Sequence, residues 1–122
     1  MRQEEDYLAA TMDSIDNVRA ELSKWTGSGA ILWSYTVSHS VLTIRLQKQG
    51  AKGNLHVECL DVSSFSGPVS GPGTNFIIEE TTRPRWRGPG RLPTLHLKDI
   101  GELGISIYCD FIVLKKNVAP VY

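Results

Sequence analysis

No run of about 18 uninterrupted apolar residues occurs in this 122-residue chain, so no segment is suited to cross a membrane as a helix. The first eight residues, Met1 to Leu8, are acidic and contain no apolar stretch, which argues against a secretory signal or a transit peptide. Asn-X-Ser/Thr glycosylation acceptors are absent too. Two cysteines, Cys59 and Cys109, are too few for a disulfide framework. The expected setting is therefore the cytoplasm, where both stay reduced.

An excess of one charge is also missing. Thirteen Lys and Arg balance thirteen Asp and Glu, so net charge alone points to no polyanionic partner. The chain has no Cys-X-X-Cys, no His-X-His, no Gly-Lys-Ser/Thr and no Gly-X-Ser-X-Gly. These absences remove the usual metal sites, the phosphate loop and the hydrolase elbow. No metal and no cofactor is implied. The proline- and glycine-rich stretch Ser63–Thr74 is no phosphate cradle either, because Pro68 and Pro72 remove two backbone donors and a strand pattern follows.

What is present is ordinary globular material: 41% hydrophobic and 21% charged residues, enough to build a core without staples. The length has room for one domain, 1–122. Leu8, Met12, Ile15, Val18, Leu22 and Trp25 recur every three or four residues, which predicts an N-terminal amphipathic helix over about 5–25. Gly27 and Gly29 then stop it.

From residue 30 the period becomes two. Strands are expected over Ala30–His39, Val41–Lys48, Asn54–Val62, Asn75–Thr82, Thr94–Ile100 and 104–114, with an irregular tail over 115–122. The loops expected between them are Ser63–Thr74 and Arg83–Pro93, both punctuated by proline. The predicted fold is α+β, one helix packed on a mainly antiparallel sheet of about five or six strands, with a β-sandwich carrying one helix as the alternative.

One segment departs from the average. Arg83-Pro-Arg-Trp-Arg-Gly-Pro-Gly-Arg91 gathers Arg83, Arg85, Arg87 and Arg91 around Trp86. Guanidinium groups bind carboxylates and phosphates through paired donors, and an exposed Trp beside Arg is the composition of an interface hot spot. The first expectation is thus a non-enzymatic binding or accessory protein whose partner is another protein or a second copy of the chain. Open sheet edges supply another route to self-association. The alternative is single-stranded nucleic acid gripped by the same loop. The bland reading has these arginines paired with the acids of the helix segment.

A third reading is a small hydrolase or isomerase. It requires His56, Glu58 and His96 to meet in a groove if their hairpins are neighbours. Cys59 and Cys109 fall in step with the apolar residues of their strands and are read as core. Trp25 and Trp33 are read as packing.

Overall fold

Val41–Gln47 and Asn54–Leu60 carry the cleanest alternation in the chain, and they pair in register at the centre of the larger of two antiparallel sheets. The computed structural model describes residues 6–10 (backbone only), 15–85 and 87–118. In chain order the elements are β1 (Asp6–Ala10), α1 (Asp16–Ser23), β2 (Gly29–Thr36), β3 (Val41–Gln47), β4 (Asn54–Leu60), β5 (Ser64–Ser66), β6 (Ser70–Gly71), β7 (Phe76–Pro84), β8 (Arg91–Asp99), β9 (Ser106–Cys109) and β10 (Phe111–Val118). The six-stranded sheet runs β1-β10-β4-β3-β2-β6 and the four-stranded sheet β5-β9-β8-β7. The fold is α+β, one helix against antiparallel sheets.

A bent ribbon joins the two sheets. Leu60 pairs with Phe111 in the large sheet, and Ser64 pairs with Tyr108 in the small one. Between them Asp110 N–H donates to Leu60 O (3.0 Å) and Ser63 N–H to Tyr108 O (2.8 Å), so pairing survives the corner. Asp61 takes a φ of 55° there, a conformation that Asp tolerates better than most residues. Strands that change sheet at a bend are how such corners are built.

The core lies between the inner faces. Ile44, Leu46, Leu55, Val57, Ile112 and Leu114 from the large sheet meet Leu95, Leu97 and Ile107 from the small one, all essentially inaccessible. Each such side chain contributes roughly 1.5–3 kcal/mol by leaving water. Cys59 and Cys109 are fully buried in this core as free thiols. The helix packs against β1 and β7 and inserts Ile15, Val18 and Leu22. It therefore fills the side of the core between the two sheet edges.

The helix is shorter than its stripe suggested. Residues 6–10 form a strand instead, with Leu8 opposite Leu114 and Ala9 opposite Val113. Local spacing fitted either period, and the ladder along β10, which would otherwise be a bare edge, decides for the strand. Met12 lies outside the described residues.

At the other end, residues 115–118 continue β10 rather than forming an irregular tail, and 119–122 lie outside the described residues. The expected strand 104–114 divides at Asp110 into β9 and β10, one in each sheet. The Ser63–Thr74 stretch contains β5 and β6, both short and both at sheet edges, where proline neighbours are tolerated.

Candidate functional site: an arginine groove at the base of a β-arm

Arg83, Pro84 and Arg91–Pro93 are not loop, as their prolines suggested, but strand. They extend the β7–β8 hairpin to Pro84↔Arg91. Because β9 reaches β8 only over Leu95–Lys98, the hairpin beyond Glu80 is a two-stranded arm. The true loop shrinks to 85–90. Trp86 lies outside the described residues.

Register explains how the prolines fit. Arg85 N–H donates to Gly90 O (3.4 Å), so odd-numbered residues of β7 exchange backbone bonds with β8 and even-numbered ones point theirs outward. Pro84 and Pro93 both fall at outward positions, where the missing N–H costs no ladder bond. The outer edge of β7 is further occupied by side chains. Arg19 Nη2 donates to Ile78 O (3.0 Å) and Arg91 Nη2 to Thr82 O (3.0 Å). An edge so treated offers little to a second strand.

At the base of the arm Thr94, fully buried, donates or shares its hydroxyl with Cys109 O (2.9 Å) and Asp110 Oδ1 (3.3 Å). Asp110 Oδ2 in turn meets Arg83 Nη2 at 3.3 Å. Beside this anchor opens a groove of about 550 Å³. Three arginines line it, Arg83, Arg85 and Arg91, with the hydroxyls of Ser63, Ser64, Thr82 and Tyr108 and the ring of Pro84.

The donors in the groove are only partly used. Arg83 Nε is buried without a hydrogen-bond partner among the described residues. Arg91 holds its own arm through Nε to Thr82 Oγ1 (2.7 Å). Arg85 and Arg87 are exposed and form no side-chain hydrogen bond or ion pair among the described residues. Of the acids in the helix segment, Asp16 pairs with Arg19, and Glu21 with Lys24 and Lys116, while Glu4, Glu5, Asp13 and the Asp6 side chain lie outside the described residues. A groove of this composition presents several N–H and O–H donors and net positive charge to one small volume. Donors of this kind are suited to an oxyanion.

The His56, Glu58 and His96 trio is not brought together. His56 and Glu58 project from β4 in the large sheet, and His96 from β8 in the small one. His56 Nε2 accepts from Arg45 Nε (2.9 Å), which makes that nitrogen the unprotonated one. Arg45, only 1% exposed, lies 3.8 Å from the centre of the Trp33 ring. Trp33 sits in a β-bulge between Leu32 and Ser34, and at 40% exposure it covers Arg45 rather than filling the core.

Glu58 pairs with Lys115 at 3.2 Å. His96 stacks on Tyr108 at 4.1 Å with rings 7° apart and shares a hydrogen bond with Ser106 Oγ (2.6 Å). Burial holds its pKa below the ordinary histidine value. No set of three or more His, Cys, Asp or Glu stands close enough to hold a metal ion among the described residues. Among them, too, no helix is long and apolar enough to cross a membrane.

Ser63, Ser64, Tyr108 and Asp110 were not legible as site residues. The corner of the fold carries them from two distant segments to the base of the arm, and serine or tyrosine in a strand gives no local sign of that. No family model matches the chain, and neither a curated protein nor a solved structure matches it.

Proposed function

We propose that this chain is a non-enzymatic binding protein that holds an anionic segment of a partner protein with the β7–β8 arm. The observation that carries the reading is the groove, with three arginines and four hydroxyls around a volume in the range of ligand sites. Arg85 and Arg87 at the arm's end are free to extend the contact along the partner. Arginine is the residue of choice for such contacts because its planar fork matches a carboxylate or phosphate.

Nucleic acid is the second reading, and the same arginines favour it. A nucleic-acid backbone, however, needs a continuous cationic track. Here Glu79 and Glu80 stand on the shaft of the arm and Asp110 at its root, so positive charge is confined to one spot.

The test is fluorescence anisotropy with a labelled Asp/Glu-rich peptide and, separately, single-stranded RNA and DNA, at low and near-physiological salt. The natural chain is compared with a variant in which Arg83, Arg85, Arg87 and Arg91 are all Ala. Peptide binding that disappears in the variant supports the proposal. Nucleic-acid binding that weakens steeply with salt, with no peptide binding, replaces it by the second reading. Sedimentation over a range of concentrations tests whether the partner is a second copy.

A further inference from the structure

We infer that the groove receives a single phosphate monoester, carried on a phosphorylated side chain of the partner. This deepens the anionic-partner reading and rests on it.

Charge is the first argument. Three arginines line the groove and one carboxylate, Asp110, stands beside them, which leaves two positive charges. A carboxylate ligand brings one negative charge and two oxygens, whereas a phosphate monoester brings about −1.5 to −2 and three strong acceptor oxygens. The phosphate matches the charge, and its three oxygens can take up more of the free donors than the two of a carboxylate.

Arg83 supplies the second argument. Its contact with Asp110 is a single one at 3.3 Å, longer than the roughly 2.7–2.9 Å of a good guanidinium–oxyanion bond. The other Asp110 oxygen is turned to Thr94. Asp110 therefore positions the Arg83 fork without saturating it, and Nε–H is shut off from solvent with no acceptor among the described residues. An oxyanion in the groove meets the fork at its Nη–H groups, which the one long contact to Asp110 leaves largely open.

Third, the cationic spot is isolated. Glu80 and the neutralised Glu79–Lys98 pair bound it on the sheet side, so the cationic surface does not continue there and one phosphate fits where a chain of phosphates lacks partners. The volume of about 550 Å³ accommodates a phosphorylated side chain with part of its backbone.

The experiment uses the full chain, labelled with nitrogen-15, titrated separately with phenyl phosphate, inorganic phosphate and acetate while the backbone and arginine Nε–H signals are followed. The expected result is that both phosphates shift the Arg83 Nε–H and the amides of Ser64 and Tyr108, and that acetate at equal concentration does not. Arg85→Ala, at a side chain that makes no hydrogen bond or ion pair among the described residues, weakens phosphate binding by about 10- to 100-fold, the usual range for a charge-assisted contact. Arg83→Lys keeps the charge and loses the fork, and weakens it comparably.

Equal shifts with acetate, or shifts scattered over surface lysines, overturn the inference. Anisotropy then separates it from the broader proposal. A phosphoserine peptide binding at least about tenfold more tightly than its glutamate counterpart supports the phosphate site. Equal binding of the two overturns it and leaves the anionic-partner reading standing. Binding of neither, or tighter binding of single-stranded RNA, overturns both.

Discussion

Asp99 at the end of β8 is 6% exposed and accepts four backbone hydrogen bonds. Its Oδ1 takes Asn75 N–H (2.6 Å) and Gly101 N–H (2.8 Å), and its Oδ2 takes Leu103 N–H (2.8 Å) and Gly104 N–H (2.9 Å). One carboxylate thus folds the β8–β9 turn and ties it to the start of β7. Asp99→Asn is close to isosteric but replaces one oxygen with an NH₂ group that faces two backbone donors. It also removes the charge from the bonds that remain. A hydrogen bond to a charged group is worth about 1.5–3 kcal/mol, and two are lost outright while two weaken. Partial relaxation toward water reduces the sum, so the expected loss is about 3–4 kcal/mol.

For a chain of this size that is a fall of roughly 10–20 °C in Tm. Urea unfolding followed by tryptophan fluorescence measures it as a lower midpoint at unchanged m. Asp61→Asn, at an exposed position suited to Asn, is the control and shifts stability by no more than about 0.5 kcal/mol.

The pH dependence follows from the same geometry. Burial pushes the Asp99 carboxyl up, but the four backbone donors override it and hold its pKa below the ordinary 3.8. A depressed carboxyl contributes its stability above the unfolded-state pKa and loses it as pH falls through the folded-state value. The gap between wild type and Asp99→Asn is therefore constant from pH 7 to about 5 and closes below about 4. A loss under about 1 kcal/mol, or a gap that ignores acid, refutes the carboxylate as the element that holds this turn.

Cys59 and Cys109 are fully buried, and their mutual hydrogen bond together with burial pushes the Cys59 thiol well up. Neither reacts with an aromatic disulfide reagent at pH 8 until the chain unfolds, whereupon both do; rapid reaction of the native protein contradicts their placement. Arg45→Ala removes the group that stacks on Trp33 and donates to His56, and is expected to cost about 2–4 kcal/mol and to change the native tryptophan emission. Chemical denaturation with emission spectra checks both, and an unchanged midpoint refutes a structural role for Arg45.

Local sequence determined the elements whose apolar residues alternate most cleanly. The alternation from Val41 to Gln47 and from Asn54 to Leu60 became the paired strands β3 and β4, because a period of two leaves only one register that buries Leu42, Ile44 and Leu46. Val18 and Leu22, two residues of the apolar stripe, are the buried residues of the short α1, and Arg83, Arg85 and Arg91 of the arginine-rich segment line the groove.

Long-range pairing decided the rest. Residues 6–10 are a strand only because β10 offers them a ladder some hundred residues away, an influence that no spacing near Leu8 records. Pro84 and Pro93 read as breakers, yet they sit in strands, since whether a proline costs a hydrogen bond depends on which way its nitrogen points in the ladder. The groove itself arises where the chain turns from one sheet to the other and carries Ser64, Tyr108 and Asp110 to the arginines. Composition drew attention to the arginines of that groove, and tertiary structure brought the hydroxyls and Asp110 beside them, because convergence of distant residues is a property of the corner and not of any segment.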